Sequence, residues 1–128
     1  MNIHAAIPAP LGYAALEKGL SAGRVSELIR RGELRQDDVY RVIPERTFKR
    51  RVAAKSKLKL EEADAIARIL RVQALARWAF GETGLAAEFL DLSNPALGNR
   101  LPRVMARTDA GAREVEALLF RFAMGDPA

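Results

Sequence analysis

Between Arg46 and Lys59 the segment RTFKRRVAAKSKLK carries seven basic residues (Arg46, Lys49, Arg50, Arg51, Lys55, Lys57 and Lys59) and no acid. Guanidinium and ammonium groups packed this densely create a local field that draws in polyanions, nucleic-acid phosphates above all. The competing reading is a helix face that is merely solvated. Placement favours contact. From Arg41 to Leu60 there are eight Lys or Arg and one acid, Glu45, a local +7, so the rest of the chain carries −2 of the formal +5. The same charge dispersed over the surface would mainly serve solubility.

The remaining reactive residue types are scattered. His4 is the single histidine, and one isolated imidazole makes neither a general base nor a metal site. Asp37 with Asp38 and Glu61 with Glu62 are adjacent pairs. Neighbours on a helix diverge by about 100°, so neither pair is a carboxylate dyad; both suit the positive N-terminal end of a helix. Ser21, Ser56, Ser93, Thr83 and Thr108 have no nearby histidine and none sits in G-x-S-x-G. The glycines form no dinucleotide or phosphate loop. With no cysteine in the chain, disulfides, thiolate metal sites and a cysteine nucleophile are excluded. The expectation is a binding protein: not an enzyme, with no cofactor and no metal.

The elements that must position the basic run are helical. Ala, Leu, Arg and Glu dominate, and 49% apolar residues suffice for a packed interior in a chain of 128 residues, so an all-α fold is expected. Residues 1–10 hold Pro8 and Pro10 and read as a loose arm. A short helix is expected over 12–19. The next runs from about Ala22 to Arg31, with Ser21 as N-cap, Val25, Leu28 and Ile29 on its buried face and Gly32 as stop. Gln36–Val42 carries Asp37 and Asp38 in its first turn. Pro44 breaks the chain, biases Ile43 out of helical angles and starts a second helix from Glu45 to about Ala54. Two short helices across a turn of three to four residues form a helix-turn-helix, and the second is the basic one. Val39, Val42, Phe48 and Val52 form their shared core, with Thr47, Lys49, Arg50 and Arg51 on the opposite face.

A long helix follows over about Leu60 to Phe80. Its polar stripe (Glu61, Asp64, Arg68, Arg71) turns apolar at Leu75 and Trp78, to be covered by a later helix or by a partner; the later helix is the expected cover. Gly81, Thr83 and Gly84 break the chain before the short helix of LAAEFLDL. SNPALGNRLP is turn chemistry, and RVMART adds a turn or two. Thr108 caps a last helix in which Gly111, Val115, Leu118, Leu119 and Phe122 share one face. Gly111 inside a helix implies close packing against another backbone. The N-terminus lacks the basic and apolar regions of a signal peptide, and no run is long and apolar enough to span a membrane. A soluble, cytoplasmic protein without membrane contact is expected.

The second half resembles a known family. NPALGNRLPRVMARTDAGAREVEALLFRFAMG (94–125) is similar to the C-terminal domain of Xre/MbcA/ParS-type antitoxins, partners of RES-domain toxins. Asn94, Pro95, Leu97, Gly98, Pro102, Thr108, Gly111, Val115, Leu119 and Gly125 follow its pattern in order. IPERTFKRR (43–51) and LKLEEADAIARI (58–69) resemble its helix-turn-helix and the helix start that follows. Asn99, Leu101, Phe89 and Ala65 depart from the usual residues. The resemblance implies an antitoxin that blocks the active site of an NAD-degrading RES-domain toxin with C-terminal elements. It also implies dimerisation within a toxin–antitoxin hetero-oligomer and binding to double-stranded DNA of its own promoter.

These readings give an arm (1–10), an Xre-like helix-turn-helix DNA-binding domain (11–57) and a helical toxin-binding domain (58–128), joined by the long helix. Arg46, Thr47, Lys49, Arg50, Arg51, Lys55 and Lys57 are the DNA candidates. Asn99, Arg100, Arg103, Glu116, Phe120 and Arg121 are the toxin candidates, with Phe120 placed off the buried face. Asn94, Pro95, Gly98 and Gly111 are architectural. The alternatives are a stand-alone helix-turn-helix transcriptional regulator without a toxin, and an interaction module whose basic helix is only solvated.

Overall fold

The computed structural model describes residues 11–125. His4 and the expected arm lie outside them. Among the described residues every regular element is helical: α1 (Tyr13–Lys18), α2 (Ala22–Arg30), α3 (Gln36–Val42), α4 (Glu45–Ala53), α5 (Leu60–Phe80), α6 (Thr83–Asp91), a 3-10 turn (Pro95–Leu97), α7 (Pro102–Met105) and α8 (Asp109–Ala123). The all-α expectation holds. Packing groups the described residues into two compact units that meet at Leu70 and Arg71, inside α5.

In the first unit the caps act locally. Ser21 Oγ accepts the Arg24 N–H at 3.0 Å and opens α2, satisfying one of the amides a helix start leaves over. Gly32, at φ +77°, closes it, a left-handed conformation that glycine adopts without steric cost. Ile43 is extended (φ −132°, ψ 120°) and the Pro44 carbonyl accepts the Phe48 N–H at 2.9 Å. Pro44 is therefore the N-cap of α4 rather than its first helical residue, and the turn between α3 and α4 is two residues, shorter than expected. The pre-proline clash that forces Ile43 out of the helical region makes this corner abrupt. Val39, Ile43 and Phe48 are buried at the corner, with Val42 and Val52 packed against them. The joint after α4 is held in place: the Ala22 N–H donates to Ser56 O at 2.9 Å and the Leu58 N–H to Leu20 O at 2.8 Å. Residues 60–70 of α5 complete this core with Ala63, Ile66, Ile69 and Leu70. That burial is why the packing division falls well beyond residue 58.

In the second unit, Val72, Leu75 and Ala76 of α5 form a core with Ala86, Leu90, Leu97, Val115, Leu118 and Leu119. Gly81 (φ +76°) breaks the chain, but Thr83 and Gly84 belong to α6, earlier than the sequence reading placed its start. The Asn94 side chain accepts the Ala96 N–H at 2.9 Å, and its backbone N–H donates to Arg100 O at 3.1 Å. Between them Gly98 and Asn99 are both left-handed, at φ +68° and +62°. Asn tolerates this conformation better than most residues, which explains how it replaces a second glycine. Thr108 Oγ1 accepts the Gly111 N–H at 3.0 Å to start α8. A Cβ on Gly111 would stand 2.0 Å from the Met105 carbonyl oxygen, so the close backbone approach read from the sequence is present. Leu75 is buried and Trp78 is half-buried against Phe120 of α8: the later helix covers the apolar end of the stripe.

Candidate partner-binding surfaces

The first surface is the outer face of α4. Phe48 turns inward, edge-on to Tyr40 with ring centroids 6.0 Å apart. Residues one or two positions away, rotated by about 100–200° around the helix, then project to solvent. Arg46, Lys49 and Arg50 are exposed there, and Lys55 is exposed just beyond the helix end at φ +55°. Lys49 Nζ lies 3.2 Å from Glu45 Oε1, an exposed i, i+4 pair that solvent makes weak and easily exchanged. Thr47 is half-buried.

Two of the expected contacts are differently engaged. Arg51, placed by spacing on the outward face, turns inward to pair with Glu62 of α5, and the two side chains retain only 14% and 13% exposure. Lys57 lays its stem over Gly19, where a Cβ would come within 2.7 Å of it, and its Nζ donates to the Lys18 carbonyl at 3.0 Å. Both have intramolecular partners because α5 and the α1–α2 joint present acceptors within their reach.

The second surface lies on the second unit. Asn99, Arg100 and Arg121 are exposed. The Arg100 guanidinium folds over Gly98 and reaches the Leu97 carbonyl at 3.4 Å. Arg103 is structural by geometry: Nε donates to Asp91 Oδ1 at 2.7 Å, Nη2 to Oδ2 at 3.3 Å and Nη1 to Gln73 Oε1 at 3.4 Å, with 12% of the side chain exposed. Glu116 accepts from Arg71 Nε at 2.8 Å. Phe120, expected off the buried face, packs edge-on against Trp78 at 6.1 Å, which corrects its reading as a free aromatic.

The exposed aromatic is instead Phe122. It is 50% exposed and stacks on Phe80 at 4.5 Å, and Phe80 in turn meets Phe89 at 5.3 Å. A shallow groove of about 350 Å³ continues from these rings past Leu85 and Leu92, both also exposed. Heptad-like spacing assigned Phe122 to the inner face, which is geometrically right. However, α5 ends at Phe80, so little of the neighbouring helix remains to cover the last turn of α8. The helix ends, rather than the face pattern, carried the signal.

Among the described residues no three His, Cys, Asp or Glu side chains gather into a metal site, and no helix is long and apolar enough to cross a membrane. The structure thus defines a helical protein with two separate side-chain surfaces, one cationic and one apolar. Residues 74–125, which carry the second surface, match the family model of the antitoxin Xre/MbcA/ParS C-terminal toxin-binding domain. Over 113 residues the chain is 29% identical to Antitoxin Xre of Pseudomonas putida (strain KT2440), covering 88% of this chain and 71% of that protein. The chain is thus similar to an Xre-type antitoxin over most of its length, and to the family's toxin-binding domain over residues 74–125.

Proposed function

We propose that this protein neutralises a cognate RES-domain, NAD-degrading toxin through its second unit and represses its own operon by binding double-stranded promoter DNA through α4. The match of residues 74–125 to a toxin-binding domain carries the toxin half of this reading. The half-exposed Phe122, resting on the part-buried Phe80 beside Phe89, gives it a physical basis, since partners bury such rings. Asn99, Arg100 and Arg121, exposed in the same unit, are the candidates for polar contacts to the toxin. Arg103 and Glu116 stay engaged in their own ion pairs within this unit. The nature of the toxin rests on the resemblance of the 94–125 segment to partners of RES-domain toxins. A homodimer inside a hetero-oligomer and a cytoplasmic site of action belong to the same reading.

The DNA half rests on the solvent-facing cations of α4, placed at the second helix of a helix-turn-helix, where recognition helices carry their base and phosphate contacts. Lys55, near the helix end, would reach phosphate.

The test is a tagged purification from cells carrying the native locus, with nuclease in the lysis buffer, followed by an NAD-consumption assay on the bound partner. A stoichiometric partner from the neighbouring gene, silent with this chain and active without it, is expected. A partner-free protein that still binds promoter DNA would support the stand-alone regulator instead.

A further inference from the structure

Within the first unit one carboxylate does two things. Glu62, in the first turn of α5, accepts the Lys59 backbone N–H at 2.8 Å and so closes the start of that helix, as the returning acid of a capping box does. The same Oε1 accepts Nη1 of Arg51, from the last turn of α4. The two side chains are seven-eighths buried, and the chain between them is clamped: the Ser56 N–H donates to Arg51 O at 2.8 Å, and Ser56 and Leu58 bond back to the start of α2. α4 has only nine residues and one fully buried side chain, Phe48. Val52 packs beside Phe48, and the Arg51–Glu62 pair ties the last turn of α4 to α5.

We infer that Glu62 is a positioning residue for the cationic face: through Arg51 it sets the pose in which α4 presents Arg46, Lys49 and Arg50, and Arg51 itself is not a DNA contact. This rests on the promoter-binding reading above. A guanidinium held by a largely buried carboxylate releases no counterion on binding, so it adds nothing to the salt dependence of the complex. A poorly posed recognition helix loses affinity because base edges and phosphates must be met together.

The experiment measures binding of the full-length chain to a duplex of about 30 base pairs from upstream of its own gene, across a potassium chloride series, with a thermal melt of each variant. Glu62→Gln is expected to weaken binding by about tenfold at every salt concentration, leaving the slope of log K against log[salt] unchanged. Arg51→Met should do the same, since it removes the ion pair and leaves Glu62 to cap α5. If Glu62→Gln fails to fold, Arg51→Met alone decides: a slope shallower by about 0.9 makes Arg51 a phosphate contact and overturns the inference. Wild-type affinity in folded Glu62→Gln overturns it equally. If the wild-type chain shows no salt-dependent binding to the duplex, the promoter-binding reading fails first and takes the inference with it.

Discussion

At Gly111 the backbones of α7 and α8 leave no room for a single methyl group. The atom in the way is a carbonyl oxygen of Met105, 2.0 Å from where a Cβ would stand, and backbone cannot swing aside as a side-chain tip can. Gly111→Ala is therefore expected to cost about 3 kcal/mol, the upper range for overpacking, read as a drop in thermal midpoint. Gly84 is the contrast. It lies inside α6, and its Cβ would meet only the end of the Glu82 side chain at 3.3 Å. Gly84→Ala should raise stability by about 0.5–1 kcal/mol, since alanine favours the helix and restricts the unfolded chain. Equal effects at the two positions would contradict both arguments. The arginines divide similarly. Arg103→Ala removes two hydrogen bonds to Asp91 and is expected to destabilise by about 1–3 kcal/mol. Arg121→Ala, at an exposed position, should leave the melt within about 0.5 kcal/mol and be visible only in toxin affinity.

At the scale of elements, α4 and α8 each offer a face whose use can be tested without unfolding the chain. Arg46 and Arg50 are exposed on one side of α4. If both touch phosphate, Arg46→Ala with Arg50→Ala should make the salt slope of promoter binding shallower by about 1.8, with an unchanged melt. An unchanged slope would return α4 to the status of a solvated helix. On α8, Phe122 stacks on Phe80 but is half open. Phe122→Ser should weaken toxin neutralisation by tenfold or more, about 1.4 kcal/mol or above, as loss of an aromatic anchor does, with only a modest loss of stability. Full neutralisation by this variant would move the toxin contact elsewhere on the second unit.

For the whole molecule, the two hydrophobic cores share no residue: one ends at Leu70 and the other begins at Val72. Each is expected to respond to its own lesions. Leu119 is fully buried in the second core, and Leu119→Ala should cost about 2–5 kcal/mol there. Hydrogen exchange should rise across 71–125 while amides of 20–52 keep their protection, because stability is lost locally where packing is local. Uniform loss of protection would mean that α5 couples the two cores into one cooperative unit.

Local residue chemistry dictates the helices and most of their ends. Ser21, Thr108, Gly32 and Pro44 act through bonds and sterics within a few residues, and local rules reach that far. It also made Gly111 legible as a contact, because a glycine inside a helix costs stability that only close packing repays. The tertiary structure alone decided which charged and aromatic groups stay in solvent. Arg51 is neutralised from 11 positions away and Glu116 meets Arg71 across 45, while Phe120 is covered and Phe122 uncovered by where α5 ends. Long side chains take whichever partner the fold brings within reach, and spacing along one helix contains no information about the next.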